Sequence, residues 1–141
     1  MSKLKQNIII FLIIAVYLYI NLTSPLVNFK NAVGMPKNLS AKDILNSASF
    51  IAMQRENNYN VAETYDFDSR ANVLRYPLTF IYGNSILDEK SYAQASAIFV
   101  LSELHYDYNN PTPWELKTYM PYKAVLAYKI NNDWGVYKLT K

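Results

Sequence analysis

Apolar and polar positions are distributed along this 141-residue chain in two regimes. The first is an unbroken block, Ile8 to Ile20 (IIIFLIIAVYLYI), thirteen apolar or aromatic residues with nothing polar to offer a solvent face. The second, from about residue 40 onward, is periodic. Ser40-x-x-Asp43 reads as a capping box with Asp in place of the preferred Glu, and Ile44, Leu45, Ala48, Ile51 and Ala52 follow at helical spacing until Asn57-Asn58. From Val61 the period drops to two: Val61, Glu63, Tyr65 and Phe67 alternate with Ala62, Thr64, Asp66 and Asp68, which predicts a strand. A second strand is expected over Val73 to Tyr82, β-branched and aromatic, with Pro77 marking an edge or a bulge. Asp88 to Tyr106 carries Ala93, Ala97, Val100, Leu101 and Leu104 along one helical face and more apolar residues on the others, which predicts a central, well-buried helix. Residues 109–114 read as a loop. Tyr122 to Ile130 and Trp134 to Thr140 then alternate as a hairpin around Asn131-Asn132, a pair suited to a two-residue turn with positive φ at both positions.

These elements run α-β-β-α-β-β. They predict an α+β domain over residues 39–141, with an antiparallel sheet of about four strands and two helices on one face. The initial block predicts something else. Lys3 and Lys5 precede it, and an apolar stretch with lysine in front at the extreme N-terminus is an uncleaved anchor or a cleaved signal peptide. An anchor over residues 7–24 is the favoured expectation. No small-residue cleavage site follows, Tyr17 and Tyr19 sit at the outer end where aromatic rings prefer the interface, and Leu22, Leu26 and Val27 can lengthen the span. The positive-inside rule then gives a cytoplasmic tail, residues 1–6, and a tether, residues 25–38, leading to an extracytoplasmic domain. The expected location is a bacterial inner membrane, single-pass, with a periplasmic or extracellular C-terminal domain; secretion after signal cleavage is the alternative.

Charge and composition change the picture mainly by exclusion. The formal net charge is +3, but Lys3 and Lys5 belong to the tail; without them twelve basic residues face eleven acidic ones, spread without a run. No electrostatic footprint for nucleic acid remains. Zero cysteines exclude disulfides, Cys-ligated metals and thiol catalysis, and a single histidine excludes a His-rich metal site. Gly34, Gly83 and Gly135 are too far apart to form a phosphate-binding loop, so no cofactor is expected.

Three groups of residues remain as candidates. Asp66 and Asp68, with Glu63 nearby, put carboxylates on one strand face; the bland reading is a solvated strand end, and the functional one a carboxylate-dependent cell-wall hydrolase. Ser91, Gln94, Ser102 and His105 form a polar stripe on the expected helix 88–106 and would line a ligand cavity against the sheet. Eleven tyrosines and both tryptophans lie beyond residue 24. Tyr106, Tyr108, Trp114, Tyr119 and Tyr122 cluster in or beside expected loops, while Phe50 and Met53 point away from the main stripe of their helix. Large rigid aromatics of this kind are enriched at interfaces. The layout of tail, span and small domain resembles bitopic periplasmic proteins of bacterial envelope machines. The expectation is therefore a non-enzymatic, membrane-anchored module that binds a protein partner at the membrane, as a small subunit of an envelope assembly or an immunity-type inhibitor. A ligand-binding or sensory domain is the alternative.

Overall fold

The computed structural model describes residues 10–19, 35–65 and 70–141. The chain divides into two compact units, Met1–Ala41 and Lys42–Lys141. In the first unit residues 10–19 form a helix, α1, whose ten residues are all exposed, its large apolar ones from Leu18 at 50% to Phe11 at 71%. Among the described residues no helix is long and apolar enough to cross a membrane. The candidate anchor over 7–24 extends past the described segment at both ends.

The second unit is α+β. It contains α2 (Ala41–Met53), β1 (Tyr59–Glu63), α3 (Asn72–Tyr76) running into a π-helical turn (Pro77–Ile81), a 3₁₀ turn (Tyr92–Gln94), β2 (Ala97–Glu103), α4 (Trp114–Tyr119), β3 (Lys123–Lys129) and β4 (Trp134–Thr140). The sheet order is β1-β2-β4-β3. β1 pairs parallel to β2 (Asn60 opposite Ile98), while β4 pairs antiparallel to both β2 (Leu139 opposite Ile98) and β3 (Leu139 opposite Ala124). The sheet is therefore mixed, correcting the antiparallel expectation. A parallel pair needs a long crossover, and residues 64–96 supply it.

Two further corrections follow from that crossover. Val73 to Tyr82 is helical rather than a strand: Arg75 N–H donates to Ala71 C=O at 2.9 Å, and Tyr82 N–H reaches back to Pro77 C=O at 3.1 Å, the wider closure of a π turn. Pro77 lacks an N–H and suits the first position of a new helical turn as well as it suits a strand edge. The expected helix 88–106 is instead a turn, the 3₁₀ turn Tyr92–Gln94 and, over its second half, the strand β2. Its residues from Ala97 to Ser102 are all buried, because layers cover the sheet on both faces. A central strand covered twice shows the same all-round apolar pattern as a buried helix.

The sheet register sorts side chains into two faces. Ala62, Ile98, Val100 and Leu139 pack with Tyr92, Ala95, Leu116 and Tyr119, so the 3₁₀ turn and α4 cover that face. The opposite face carries Val61, Phe99, Val136 and Lys138 and receives α2: Phe50 stacks on Tyr128 with ring centroids 5.0 Å apart, and Glu56 pairs with Lys138. Helices thus lie on both faces, not one. α2 buries Ile44, Ser47, Ala48 and Ile51 at the spacing expected of an amphipathic helix, while Leu45 turns out to solvent. β1 lies at the sheet edge yet is buried throughout; Leu87 N–H donates to Tyr59 C=O and Asn60 Nδ2 to Asp88 C=O, covering its free side.

The hairpin β3–β4 stands as expected, with a different turn. Neither Asn131 nor Asn132 has positive φ. Instead Asn131 Oδ1 accepts from Asp133 N–H at 2.8 Å and Trp134 N–H at 2.9 Å, an Asx turn closing a longer connection. Gly135 lies close to its neighbours here: a Cβ would come within 2.6 Å of Leu126 Cδ1 and 3.1 Å of the Tyr128 carbonyl oxygen, so a side chain at this position needs Leu126 to move.

Candidate functional site

The loop tyrosines are brought together, and their hydroxyls are occupied inside the protein. Tyr108 Oη lies 2.6 Å from Ser102 Oγ, Tyr122 donates to the Tyr108 carbonyl at 2.9 Å, and Tyr119 donates to the Ser96 carbonyl at 3.0 Å. Tyr106 Oη accepts the Thr112 N–H at 2.9 Å, and Tyr137 donates to the Leu104 carbonyl at 3.0 Å. The rings pack edge to face or stacked, with Tyr106–Tyr108 centroids 5.0 Å apart and Tyr119–Tyr122 6.1 Å. Burial pushes the Tyr108 hydroxyl far above its usual range and Tyr122 up to about 12. This cluster closes one face of the sheet around α4. Of the other aromatic-surface candidates, Trp114 is 49% exposed with its ring edge against Tyr92, Met53 is 68% exposed at the end of α2, and Phe50 is half-buried on Tyr128.

The polar stripe has no helix to carry it. Ser102 is buried beside Tyr108, Gln94 and Ser91 share the 3₁₀ turn with Gln94 exposed and Ser91 half-buried, and His105 is exposed beyond the end of β2, so no single helical face aligns the four residues. Asp66 and Asp68 lie outside the described residues. Glu63 is buried at the end of β1, 3% exposed. Among the described residues no cluster of His, Cys, Asp or Glu could hold a metal ion.

The structure instead assembles a surface from α3 and the π turn. Tyr76 is 64% exposed, Phe80 73%, Ile81 58% and Tyr82 38%, four large apolar side chains within seven residues. The Tyr76 and Phe80 rings lie 4.9 Å apart, and Tyr82 Oη donates to the carbonyl of Leu45, itself 42% exposed. The wide π turn produces this arrangement. It buries Pro77 and Leu78 while rotating Phe80, Ile81 and Tyr82 outward together. The sequence signal was the aromatic density of residues 76–82, which a strand reading distributes over two faces.

This knuckle is held by Arg75. Its Nε donates to the Arg70 carbonyl at 2.7 Å, Nη1 to the Leu87 carbonyl at 3.0 Å, and Nη2 to Asn60 Oδ1 and, at 3.1 Å, to Tyr92 Oη. Asn60 Oδ1 also accepts the Val61 N–H at 2.9 Å, and the Tyr92 hydroxyl donates to the Val61 carbonyl at 2.9 Å. One guanidinium thus ties α3, the 87–88 segment, β1 and the 3₁₀ turn together. Burial pushes the Tyr92 hydroxyl up to about 12, with the hydrogen bond and charge of Arg75 pulling the other way.

Beyond the π turn the chain reverses at Gly83 and lines a polar cleft of about 400 Å³ with the end of α2. Arg55, Asn57, Asn58, Asn84 and Ser85 face it, and Tyr59 forms part of the lining. Burial pushes the Tyr59 hydroxyl above its usual range, opposed by the Asn84 side chain beside it and by the charge of Arg75.

Comparison of the chain with protein-family models, with curated proteins and with solved structures finds no match.

Proposed function

We propose that this protein is a non-enzymatic, membrane-anchored module that binds another protein through the apolar knuckle of Tyr76, Phe80, Ile81 and Tyr82. The observation that carries the reading is the exposure of those four side chains, 38% to 73%, on a turn fixed from behind by Arg75. Contiguous apolar surface of this kind, rimmed by polar groups, marks interaction sites on soluble domains. Aromatic side chains on a rigid support lose little conformational entropy when they dock. The anchor rests on the apolar block Ile8 to Ile20 behind Lys3 and Lys5, with residues 1–6 cytoplasmic and the α+β domain outside the cell membrane. Tethering at the membrane raises the effective concentration of a partner held there, so a modest patch is sufficient. The partner is a component of an envelope assembly or a protein that this chain inhibits.

The test is co-purification from detergent-solubilised membranes, comparing the natural chain with the double variant Phe80→Ser/Ile81→Ser. Both side chains are more than half exposed, so the variant is expected to unfold within about 0.5 kcal/mol of the natural chain. A partner recovered with the natural chain and at least tenfold depleted with the variant supports the reading. Equal recovery with both removes the knuckle from it.

A further inference from the structure

We infer that the cleft between the end of α2 and the loop after the π turn is a second, independent site, which binds the free carboxylate end of a short peptide. Its volume, about 400 Å³, lies within the range of about 300–1,000 Å³ typical of small-ligand pockets. Its lining is polar and uncommitted. The side chains of Asn57, Asn58 and Ser85 and the Arg55 guanidinium make no hydrogen bond or ion pair among the described residues. The one acidic neighbour in the lining, Glu56, is already paired with Lys138. Arg55 therefore leaves an uncompensated positive charge at the rim.

Two further observations point to a ligand. Tyr59, part of the lining, is 1% exposed, and its buried hydroxyl has no partner at good hydrogen-bond geometry, only the Asn84 side chain beside it in the same cleft. The cleft also gathers unusual backbone: Arg55 (φ 53), Asn58 (φ 55) and Gly83 (φ 66) are all left-handed. Asn and Gly adopt that conformation readily, but for Arg it is uncommon, and such residues cluster at functional sites.

The chemistry of the lining selects the ligand. A guanidinium matches a carboxylate through two parallel N–H donors. Asn side chains offer both a donor and an acceptor, complementing the N–H and C=O of a peptide unit. A sugar would ask for an aromatic face to stack on, and the Tyr59 ring is buried and offers none. The end of a peptide chain places a carboxylate next to amide groups, which is the combination the cleft presents.

The experiment is isothermal titration of the full-length chain in detergent with tri-alanine, with tri-alanine amide, and with N-acetylmuramic acid as an acidic sugar that also carries an amide. Arg55→Gly is the decisive variant, because glycine suits the left-handed φ and the fold is retained with an unchanged or higher Tm. Tri-alanine is expected to bind saturably, at least tenfold more tightly than its amide, and to lose at least tenfold in affinity in Arg55→Gly. No binding of tri-alanine, equal binding of acid and amide, or equal binding by Arg55→Gly would overturn the assignment. Tighter binding of the sugar than of the peptide would overturn it too. Because Phe80 and Ile81 lie outside the lining, Phe80→Ser/Ile81→Ser is expected to bind tri-alanine normally, so failure at the cleft leaves the knuckle reading standing.

Discussion

Tyr92 concentrates several demands on one hydroxyl. It accepts from Arg75, donates to the Val61 carbonyl, and is fully buried beneath the exposed Trp114. Its pKa, raised from 10.0 to about 12 by burial, makes the fold sensitive to alkali. Below pH 10 both folded and unfolded chains hold the proton, and stability is unaffected. Above pH 10 the unfolded chain releases it first, so the folded state binds more protons and stability falls as pH rises toward 12. Urea unfolding between pH 9 and pH 11.5 is expected to show a declining free energy, with Tyr92 contributing a slope of about 1.4 kcal/mol per pH unit. In Tyr92→Phe the slope should be shallower by that amount, whatever the substitution does to stability at neutral pH. An unchanged slope would place the alkaline sensitivity elsewhere.

At the scale of elements, the crossover between β1 and β2 depends on a fork rather than on a core of its own. α3 and the π turn bury only Leu74, Pro77 and Leu78, and Arg75 supplies the remaining attachment. Arg75→Lys keeps the charge but cannot reach four acceptors from one plane. The variant is expected to lose about 2–3 kcal/mol in chemical denaturation, from two or more hydrogen bonds in a partly buried setting. A loss below about 0.5 kcal/mol would show that the crossover is held by other contacts. The same crossover is where the sequence pattern misleads. The amphipathic helix α2 is legible because it has one buried side that a single period reports, and the hairpin β3–β4 because two alternating runs flank Asn131-Asn132. β2 is buried on both sides, so Ile98, Phe99, Val100 and Leu101 carry no period that separates strand from helix. Residues 73–82 have strand composition, yet they form helical turns that Arg75 ties down through contacts with Leu87 and Tyr92, more than ten positions away. The tyrosine candidates were legible as aromatics but not as interior ones, because Tyr108 and Tyr119 find their hydrogen-bond partners in the folded chain. Nor does any local signal bring Arg55 and Asn84 to one cleft; that juxtaposition belongs to the tertiary fold.

For the whole molecule, the proposed division of labour gives α1 the membrane and the α+β unit the partner. The chain has no cysteine, so a single introduced thiol reports on one position without background. The measurement that bears most directly on the account places that thiol at the knuckle in Phe80→Cys, and on the exposed side of α4 in Thr118→Cys as a control. Intact cells are then treated with a membrane-impermeant, thiol-to-amine crosslinker. The account predicts that both variants react from outside, and that only Phe80→Cys yields a discrete heavier adduct in the membrane fraction. Labelling of both positions without a Phe80→Cys adduct would contradict a protein-binding knuckle. Protection of both positions from the reagent would contradict an extracytoplasmic domain.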